Sequence, residues 1–188
     1  AIPSVTHIAE LEQEVETKLR RLAELKRQRP AEPVENYTLQ GWDGPVPLRE
    51  LFGTHRDLLV VHNMGKSCPY CTLWADGLNG MVAHLEDRAG FAVVSPDAPE
   101  VQRPFAEGRG WRFRMLSGQG SSFSTDLGYE TEDGCLPGAS TFRLSNDGTV
   151  QRIATAGFGP FDPFCSVWHL FALFADGVAG WGPKFEYG

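Results

Sequence analysis

Residues 57–77, DLLVVHNMGKSCPYCTLWADG, contain the pattern that most strongly indicates the fold. It opens with a continuous apolar run, DLLVVHN (57–63), which is typical of a strand buried on both faces of a sheet. Cys68 and Cys71 follow this predicted strand. After them an apolar stripe at helical spacing predicts one helix that ends at about residue 88, and its members are Trp74, Leu78, Met81, Val82 and Leu85. The pattern therefore places a Cys-Pro-Tyr-Cys sequence where a buried strand passes into a helix.

Further strands and helices are predicted on both sides of this unit. NYTLQGWDGPVPLRELFG (36–53) predicts a strand, a turn at Asp43-Gly44, a return strand and a helical turn. Downstream, the sequence predicts a second buried strand, a short helix and a short extended segment, in GFAVVSP (90–96), PEVQRPFAEGRG (99–110) and WRFRML (111–116).

The last part of the chain predicts a hairpin and a helix. STFRLSNDGTVQRIATAG (140–157) contains two strand-like runs joined at Asn146-Asp147-Gly148, a strong hairpin signal. DPFCSVWHLFALFADG (162–177) predicts a final helix with Asp162 as its N-cap. The order is βαβ followed by ββα. It predicts an α/β, thioredoxin-like three-layer sandwich with parallel strands in the first half.

The amino-terminal segment, residues 1–30, predicts a separate helical extension before a main domain at 34–188. Residues 6–29 carry a single narrow apolar stripe, with acidic residues in the early turns and basic residues in the later ones. Pro30 and Pro33 then stop the helix. The stripe consists of Ile8, Leu11, Val15, Leu19, Leu22 and Leu25. Such a stripe requires a partner surface, either on its own domain or on a second copy in a homodimer.

Composition excludes several classes of function. The formal net charge is −7, from 24 acidic residues against 17 Lys and Arg, which argues against a nucleic-acid partner. No apolar run approaches the ~20 residues of a membrane helix, so we expect no membrane partner. The first residues lack a basic start followed by an apolar block, so no secretory signal is expected, and a cytoplasmic location is predicted.

The predicted position of Cys68 favours its ionised form. At the start of a helix the sulfur meets unpaired backbone N–H groups and the positive end of the helix dipole, and a Cys-x-x-Cys thiol there can have a pKa of roughly 3.5–7.5. Lys66 adds a nearby positive charge, and Pro69 suits the first helical turn. Cys71, one turn later, is placed to attack a mixed disulfide formed on Cys68. We therefore predict that Cys68 and Cys71 are catalytic.

A metal site is the first alternative. Zinc needs a second pair of ligands at compatible spacing. The chain has no second Cys-x-x-Cys and no pair of histidines at finger spacing. We expect neither a metal nor a cofactor, although an inert cysteine pair stays open as a third interpretation.

These residues resemble the thioredoxin-like superfamily. CPYC is a tetrapeptide often seen in glutaredoxins. The longer stretch CPYCTLWADGLNG, with GWRFRMLSGQGSSFSTDLGY and STFRLSNDG, is similar to the bacterial domain-of-unknown-function family 899, described as predicted dithiol-disulfide oxidoreductases. The resemblance covers roughly residues 36–175. It implies a thioredoxin fold with Cys68 as the nucleophile and Cys71 as the resolving thiol.

The sequence departs from thioredoxins before the hairpin. Thioredoxins carry a cis-proline there, facing the cysteines, and the corresponding position here is Ala139, with Pro137 two residues upstream. Either Pro137 serves in a shifted loop or the substrate clamp differs. We place both residues among the candidate substrate-binding residues, which are Lys66, Pro69, Tyr70, Trp74, Pro137 and Ala139.

Peroxiredoxins provide a second point of comparison. NYTLQGWDGPVPLRELFG and SSFSTDLGY resemble peroxiredoxin surroundings, but peroxiredoxins need Pro-x-x-x-Thr-x-x-Cys. Upstream of Cys68 the two positions hold Val61 and Gly65, and upstream of Cys71 they hold Met64 and Cys68. Peroxidase activity is therefore the weaker of the two redox interpretations.

The remaining cysteines and aromatic residues leave alternatives open. Cys135 lies in the loop before the hairpin, where it is either a third redox thiol or a bystander, and Cys165 is expected in the core. Trp74 either lines a substrate groove or packs beside the motif helix. The main prediction is a bacterial thiol-disulfide oxidoreductase acting on a protein or a low-molecular-weight thiol or disulfide. The alternatives are a thioredoxin-fold binding module, with non-catalytic or metal-holding cysteines, and a peroxiredoxin-like peroxidase.

Overall fold

A computed structural model describes residues 2–188 and contains an eight-stranded mixed sheet with helices on both faces. The strands are β1 (Glu32–Val34), β2 (Thr38–Gly41), β3 (Gly44–Pro47), β4 (Asp57–His62), β5 (Gly90–Ser95), β6 (Arg114–Ser117), β7 (Glu130–Thr131), β8 (Gly134–Cys135), β9 (Gly138–Leu144) and β10 (Val150–Gly157). The helices are α1 (Val5–Gln28), α2 (Pro69–Asn79), α3 (Val82–Arg88), α4 (Pro99–Gly108), α5 (Phe123–Asp126) and α6 (Ser166–Phe171), with a 3₁₀-helix at Leu48–Phe52.

The sheet order is β1-β10-β9-β4-β5-β6-β2-β3, and β7 and β8 form a separate small hairpin. β4 pairs with β5 in parallel, from Leu58 opposite Gly90 to His62 opposite Val94, and β5 pairs with β6 in parallel. On its other side β4 pairs with β9 antiparallel, and β9 forms the predicted hairpin with β10. The predicted thioredoxin-like α/β arrangement is confirmed.

Alternating residues of the central strands pack into two hydrophobic cores, one on each face of the sheet. In β4, Leu58 and Val60 pack with the 3₁₀-helix and with Phe123 of α5. Val61, from the same strand, packs on the opposite face with the residues of α2, α3 and α4. This period of two explains the continuous apolar run in the sequence, because a strand covered on both faces has no polar side. The end of β4, where the cysteines follow, is thereby fixed from both sides.

Two helices differ from the prediction. The single helix expected up to residue 88 is broken between α2 and α3, because the N–H of Gly80 bonds to the carbonyl of Gly77 and the helical ladder ends there. The helix expected over 162–177 is reduced to α6. The prediction that Asp162 is the N-cap is wrong, because Cys165 occupies that position. The carboxylate of Asp162 instead accepts hydrogen bonds from the N–H groups of Phe164 and Cys165 in a turn before the helix.

The amino-terminal helix forms as predicted, shifted by one residue at each end. α1 contains 24 residues, none of them buried, and it contacts the rest of the chain through β10. The sheet begins at Glu32, two residues before the predicted boundary of the main domain, because β1 pairs with β10. Within residues 2–188, none of the helices combines the length and apolar character that crossing a membrane requires.

The close approach of the 3₁₀-helix to β5 gives a test of this packing. A Cβ added at Gly90 would lie 2.2 Å from the carbonyl oxygen of Leu51, so Gly90→Ala must displace backbone. We expect it to lower the free energy of unfolding by about 1–3 kcal/mol, as overpacking does. Urea unfolding measures the change.

Gly77→Ala is the matched control for this substitution. Its added Cβ has no neighbour within 4 Å and lies in α2, so we expect a gain of about 0.5–1 kcal/mol. Equal stability of the Gly90→Ala variant and the wild type would contradict the packing described here.

Candidate active site

Cys68 and Cys71 lie at the junction of β4 and α2. Cys68 is the N-cap residue of α2, Pro69 follows at the first helical position, and Cys71 lies in the first turn. The backbone N–H of Cys71 donates a hydrogen bond to the Sγ of Cys68 at 3.2 Å. Cys68 is half-buried and Cys71 is buried, and both thiols are free. The Sγ of Cys68, which is nearer to solvent, is therefore the acceptor for backbone N–H groups at the start of α2, which have no partner within the helix.

Two polar side chains hold the loop between the strand and the helix. Asn63 accepts a hydrogen bond from the N–H of Gly65 at 2.8 Å, and its amide donates to the carbonyl of Cys71 at 3.5 Å. Asp97, which follows β5, accepts from the N–H of Lys66 at 2.6 Å. Gly65 has a φ of 103°, and a Cβ there would lie 3.0 Å from Asp97. The loop is thus tied to the ends of both parallel strands.

The pKa values of the two thiols are shifted in opposite directions. The hydrogen bond from the Cys71 thiol lowers the pKa of Cys68 to about 6, assisted by the backbone N–H groups of Cys71 and Tyr70, while burial opposes them. The same thiol hydrogen bond and burial raise the pKa of Cys71, although the N–H of Met64 donates to its sulfur at 3.3 Å. At neutral pH, Cys68 is the thiolate and Cys71 holds the proton.

The role that we expected for Lys66 needs correction. Its ammonium is not among the causes of the lowered Cys68 pKa, which are hydrogen bonds. Lys66 is exposed and contributes a backbone contact with Asp97 instead. Pro69, half-buried beside Cys68, occupies the position predicted for it.

Tyr70 and Trp74 belong to an aromatic cluster on one side of α2. The ring of Tyr70, 37% exposed, stacks on Trp168 with a centroid distance of 6.0 Å. Trp74 is only 4% exposed and packs with Cys165 and Trp168. Of the two interpretations of Trp74, packing beside the motif helix is the one observed. Cys165 lies in this core as predicted.

The residues before the hairpin differ from a thioredoxin clamp. Ala139 lies in β9 opposite Val61, and its carbonyl accepts a hydrogen bond from the Tyr129 hydroxyl at 2.7 Å. The carbonyl of Pro137 accepts from the N–H of Phe158. No cis peptide bond occurs within residues 2–188. The role of Pro137 in substrate binding stays a prediction.

A polar cavity of about 470 Å³ opens where β4 and β5 end. His62 lines it and is 3% exposed, with its Nε2 2.9 Å from the Ser140 hydroxyl and its ring stacked on Tyr129 at 3.5 Å. Burial, assisted by the charge of Arg152, lowers the pKa of His62 to about 3, so the ring is neutral. Its Nδ1 is buried without a hydrogen-bond partner. In the sequence, His62 stands out only as a polar residue at the end of an apolar strand.

Cys135 lines the same cavity from β8. Burial and the charges of Glu130 and Asp97 raise its pKa, and a charge on Cys135 in turn raises the pKa of Cys71. The loop before the hairpin therefore runs close enough to the cysteine pair for Cys135 to affect the pKa of Cys71. In the part of the chain that is described, no three His, Cys, Asp or Glu side chains gather into a group that could hold a metal ion.

The fold and the cysteine pair define a thioredoxin-like α/β protein with a Cys-x-x-Cys sequence at the start of a helix. The chain belongs to the family described as "Bacterial protein of unknown function (DUF899)", which matches residues 5–178. The resemblance inferred from the sequence is confirmed.

Peroxiredoxins are similar to this chain in sequence and in fold. Peroxiredoxin Q, chloroplastic, from Gentiana triflora is 30% identical over 128 residues, which cover 66% of this chain and 58% of that protein. The crystal structure of peroxidoxin BcpB from Mycobacterium tuberculosis has a TM-score of 0.53 at 21% identity, covering 68% of this chain and 84% of that one. A peroxiredoxin-like protein from Aquifex aeolicus has a TM-score of 0.54 at 15% identity, covering 68% and 74%. At these identities the two structures show a shared fold.

The assignment of the thiolate predicts which cysteine reacts first. In a Cys135→Ser/Cys165→Ser background, iodoacetamide at mildly acidic pH should label Cys68 well before Cys71. The rate should rise with a midpoint near pH 6, because only the thiolate reacts. Peptide mass spectrometry identifies the labelled residue.

Cys71→Ala provides the matched variant for this experiment. It removes the thiol donor but keeps the backbone N–H, so the midpoint for Cys68 should move upward. Preferential labelling of Cys71 in the parent protein would reverse the two roles.

Proposed function

We propose that this protein is a thiol-based redox enzyme that cycles Cys68 and Cys71 between the dithiol and the disulfide. The main support for the proposal is that the two thiols at the start of α2 have pKa values shifted in opposite directions. Cys68 is half-exposed and acidic, and Cys71 is buried and protonated. A nucleophile near solvent with a proton-holding thiol one turn away is what a two-step thiol reaction requires.

In disulfide exchange, the Cys68 thiolate attacks one sulfur of a substrate disulfide. The substrate S–S bond breaks, a mixed disulfide forms, and the first leaving thiolate takes up a proton. Cys71 then loses its proton and attacks the Sγ of Cys68, which releases the second substrate thiol. The substrate gains two electrons and two protons, and the enzyme is left with a Cys68–Cys71 disulfide. The reverse sequence oxidises a substrate dithiol.

Reduction of a peroxide by the same pair is the second candidate, and the peroxiredoxin relatives favour it. Here the Cys68 thiolate attacks one peroxide oxygen, the O–O bond breaks, and the leaving oxygen is protonated. The resulting sulfenic acid condenses with the Cys71 thiol, releasing water and forming the disulfide. A small or protein dithiol must then reduce that disulfide.

The two candidates draw on different features of the site. The acidic Cys68 beside a buried thiol serves either substrate. Peroxide activation in peroxiredoxins uses a threonine hydroxyl, whereas here Gly65 and Cys68 occupy the positions three residues before the two cysteines. The relatives therefore favour the peroxide, and the residues around the sulfurs favour the disulfide.

The substrate is proposed to approach over the exposed side of Cys68. Lys66 and Tyr70 are exposed there, and Pro69 and Pro137 are half-buried. Ala139 lies in β9 at the position that corresponds to the thioredoxin cis-proline, and the ring of Trp74 lies beside that of Tyr70, with 6.5 Å between the ring centroids. We propose a protein or low-molecular-weight disulfide, or a peroxide, as the partner, and a cytoplasmic location.

Oxidation kinetics separate the two candidates. The reduced protein is mixed with hydrogen peroxide or with oxidised glutathione, and tryptophan fluorescence reports disulfide formation, since Trp74 lies one turn after Cys71. A peroxidase should react with peroxide far faster than free cysteine does, and an exchange enzyme should show its acceleration with the disulfide. The absence of acceleration with either oxidant would overturn the proposed function.

Substitution of each cysteine tests the order of the two steps. We predict that Cys68→Ser abolishes turnover, because no nucleophile remains. Cys71→Ser should accumulate a mixed disulfide with a disulfide substrate, because a resolving thiol is needed only in the second step. Intact-protein mass spectrometry detects the adduct, and Cys165→Ser is the control that should retain full activity. Normal turnover by Cys71→Ser would replace this mechanism with one that uses a single cysteine.

A further inference from the structure

α1 carries an apolar face that nothing in one chain covers. Six side chains on one side of the helix are each 45–53% exposed, and they are Ile8, Leu11, Val15, Leu19, Leu22 and Leu25. Ile2 and Val5, at the start of the chain, are 97% and 83% exposed. A continuous apolar stripe on a protruding helix is favourably removed from water by a second apolar surface. We call these six residues the α1 seam.

The charges along α1 are separated into two halves. The first half contains Glu10, Glu12, Glu14 and Glu16, and the second contains Lys18, Arg20, Arg21, Lys26 and Arg27 with one acidic residue, Glu24, which forms an ion pair with Arg21. Glu14 and Glu16 form ion pairs with Lys18 and Arg20 within the helix. Among the described residues, the outer charges Glu10, Glu12, Lys26 and Arg27 make no ion pair. The two ends of the helix therefore present opposite charges to any helix lying alongside.

The α1 seam is nearly symmetric about its own midpoint. In an antiparallel pair of α1 helices, Ile8 lies opposite Leu25, Leu11 opposite Leu22, and Val15 opposite Leu19. The acidic half of each helix then runs along the basic half of the other. A parallel pair would place acid beside acid and base beside base, which is unfavourable.

We propose that the occupant of the α1 seam is a second copy of this chain, with the two α1 helices packed antiparallel about a two-fold axis. In this pair the amino-terminal half of each α1 packs against the carboxyl-terminal half of the other. The contact is therefore self-complementary, as a two-fold interface must be. The apolar spacing of three and four residues is that of a helix-packing seam.

An apolar groove continues this contact onto the sheet. Its volume is about 680 Å³, and Ala23, Lys26 and Arg27 of α1 line it together with Leu59 of β4 and Phe158. In the antiparallel pair, the amino-terminal end of the partner helix arrives beside Lys26 and Arg27. The exposed Ile2 and Val5 of one copy are thereby brought to the groove of the other. The α1 residues that line the groove are sequence neighbours of Leu22 and Leu25, at the carboxyl-terminal end of the seam.

Light scattering on the full chain tests the proposal. At micromolar concentration the wild type should have twice the chain mass of 20.7 kDa. Leu11→Glu and Leu22→Lys should each give monomers, since each places a charge opposite an apolar residue. Gln13→Glu is the matched control on the opposite face of the helix and should stay dimeric. All three variants should keep the wild-type circular dichroism and Cys68 reactivity, because no residue of α1 is buried.

Mixing the two monomeric variants tests the antiparallel arrangement. In a mixed dimer the carboxylate introduced by Leu11→Glu faces the ammonium introduced by Leu22→Lys at one site, and the wild-type leucine pair is kept at the other. An equimolar mixture should therefore regain dimer mass. In a parallel pair, mixing would separate the like charges but leave each introduced charge opposite an apolar leucine, with no ion pair to compensate for its burial. A monomeric wild type, a dimer insensitive to Leu11→Glu, or a failure of the mixture to reassociate would each overturn the proposal.

Discussion

The hydrogen bonds that converge on the Cys68 sulfur are the interaction on which the rest of the site depends. They exist because α2 begins at Pro69, so the N–H groups of its first turn have no helical partner and point at the preceding side chain. The Cys71 thiol adds a further donor from within the same turn. The result is one proton held by the buried sulfur and one negative charge held by the sulfur nearer to solvent.

Each neighbouring element keeps that helix start in place. β4 is fixed by apolar contacts on both faces and ends at His62, and Asn63 and Asp97 then tie the loop to the ends of β4 and β5. The carboxyl-terminal part of the chain closes one side of α2 with an aromatic cluster around Trp168. The polar cavity with His62 and Cys135 opens separately, where β4 and β5 end.

The central strands, the hairpin and the position of the cysteine pair could be predicted from the sequence because they depend on local patterns, whereas the short strands β1, β7 and β8 were not predicted. The run 57–63 is apolar throughout, and Asn146-Asp147-Gly148 marks a hairpin without reference to the rest of the chain. The break after Asn79 could not be predicted, since the helical apolar spacing continues across it and only the Gly80 hydrogen bond reveals the end. The final helix was predicted over 162–177 but is limited to α6, and its apolar residue Trp168 packs in an aromatic cluster rather than along a long helix.

The polar surroundings of the site were beyond prediction because they are assembled from distant segments. His62 meets Ser140 and Tyr129 only after β9 has paired with β4. Asp97 reaches the cysteine loop across the parallel pairing of β4 and β5. The source of the Cys68 acidity was likewise misjudged, since the charge of Lys66 is visible in the sequence whereas the donor geometry of the Cys71 thiol is not.

At neutral pH the reduced site should carry one thiolate, on Cys68. Thiolate absorbance near 240 nm, followed against pH in the reduced Cys135→Ser/Cys165→Ser protein, measures this charge. We expect a step of one thiolate with a midpoint near pH 6, no second step until strongly alkaline pH, and loss of the step in Cys68→Ser. A protein whose first thiolate appears only above pH 8, or whose step survives Cys68→Ser, would contradict it.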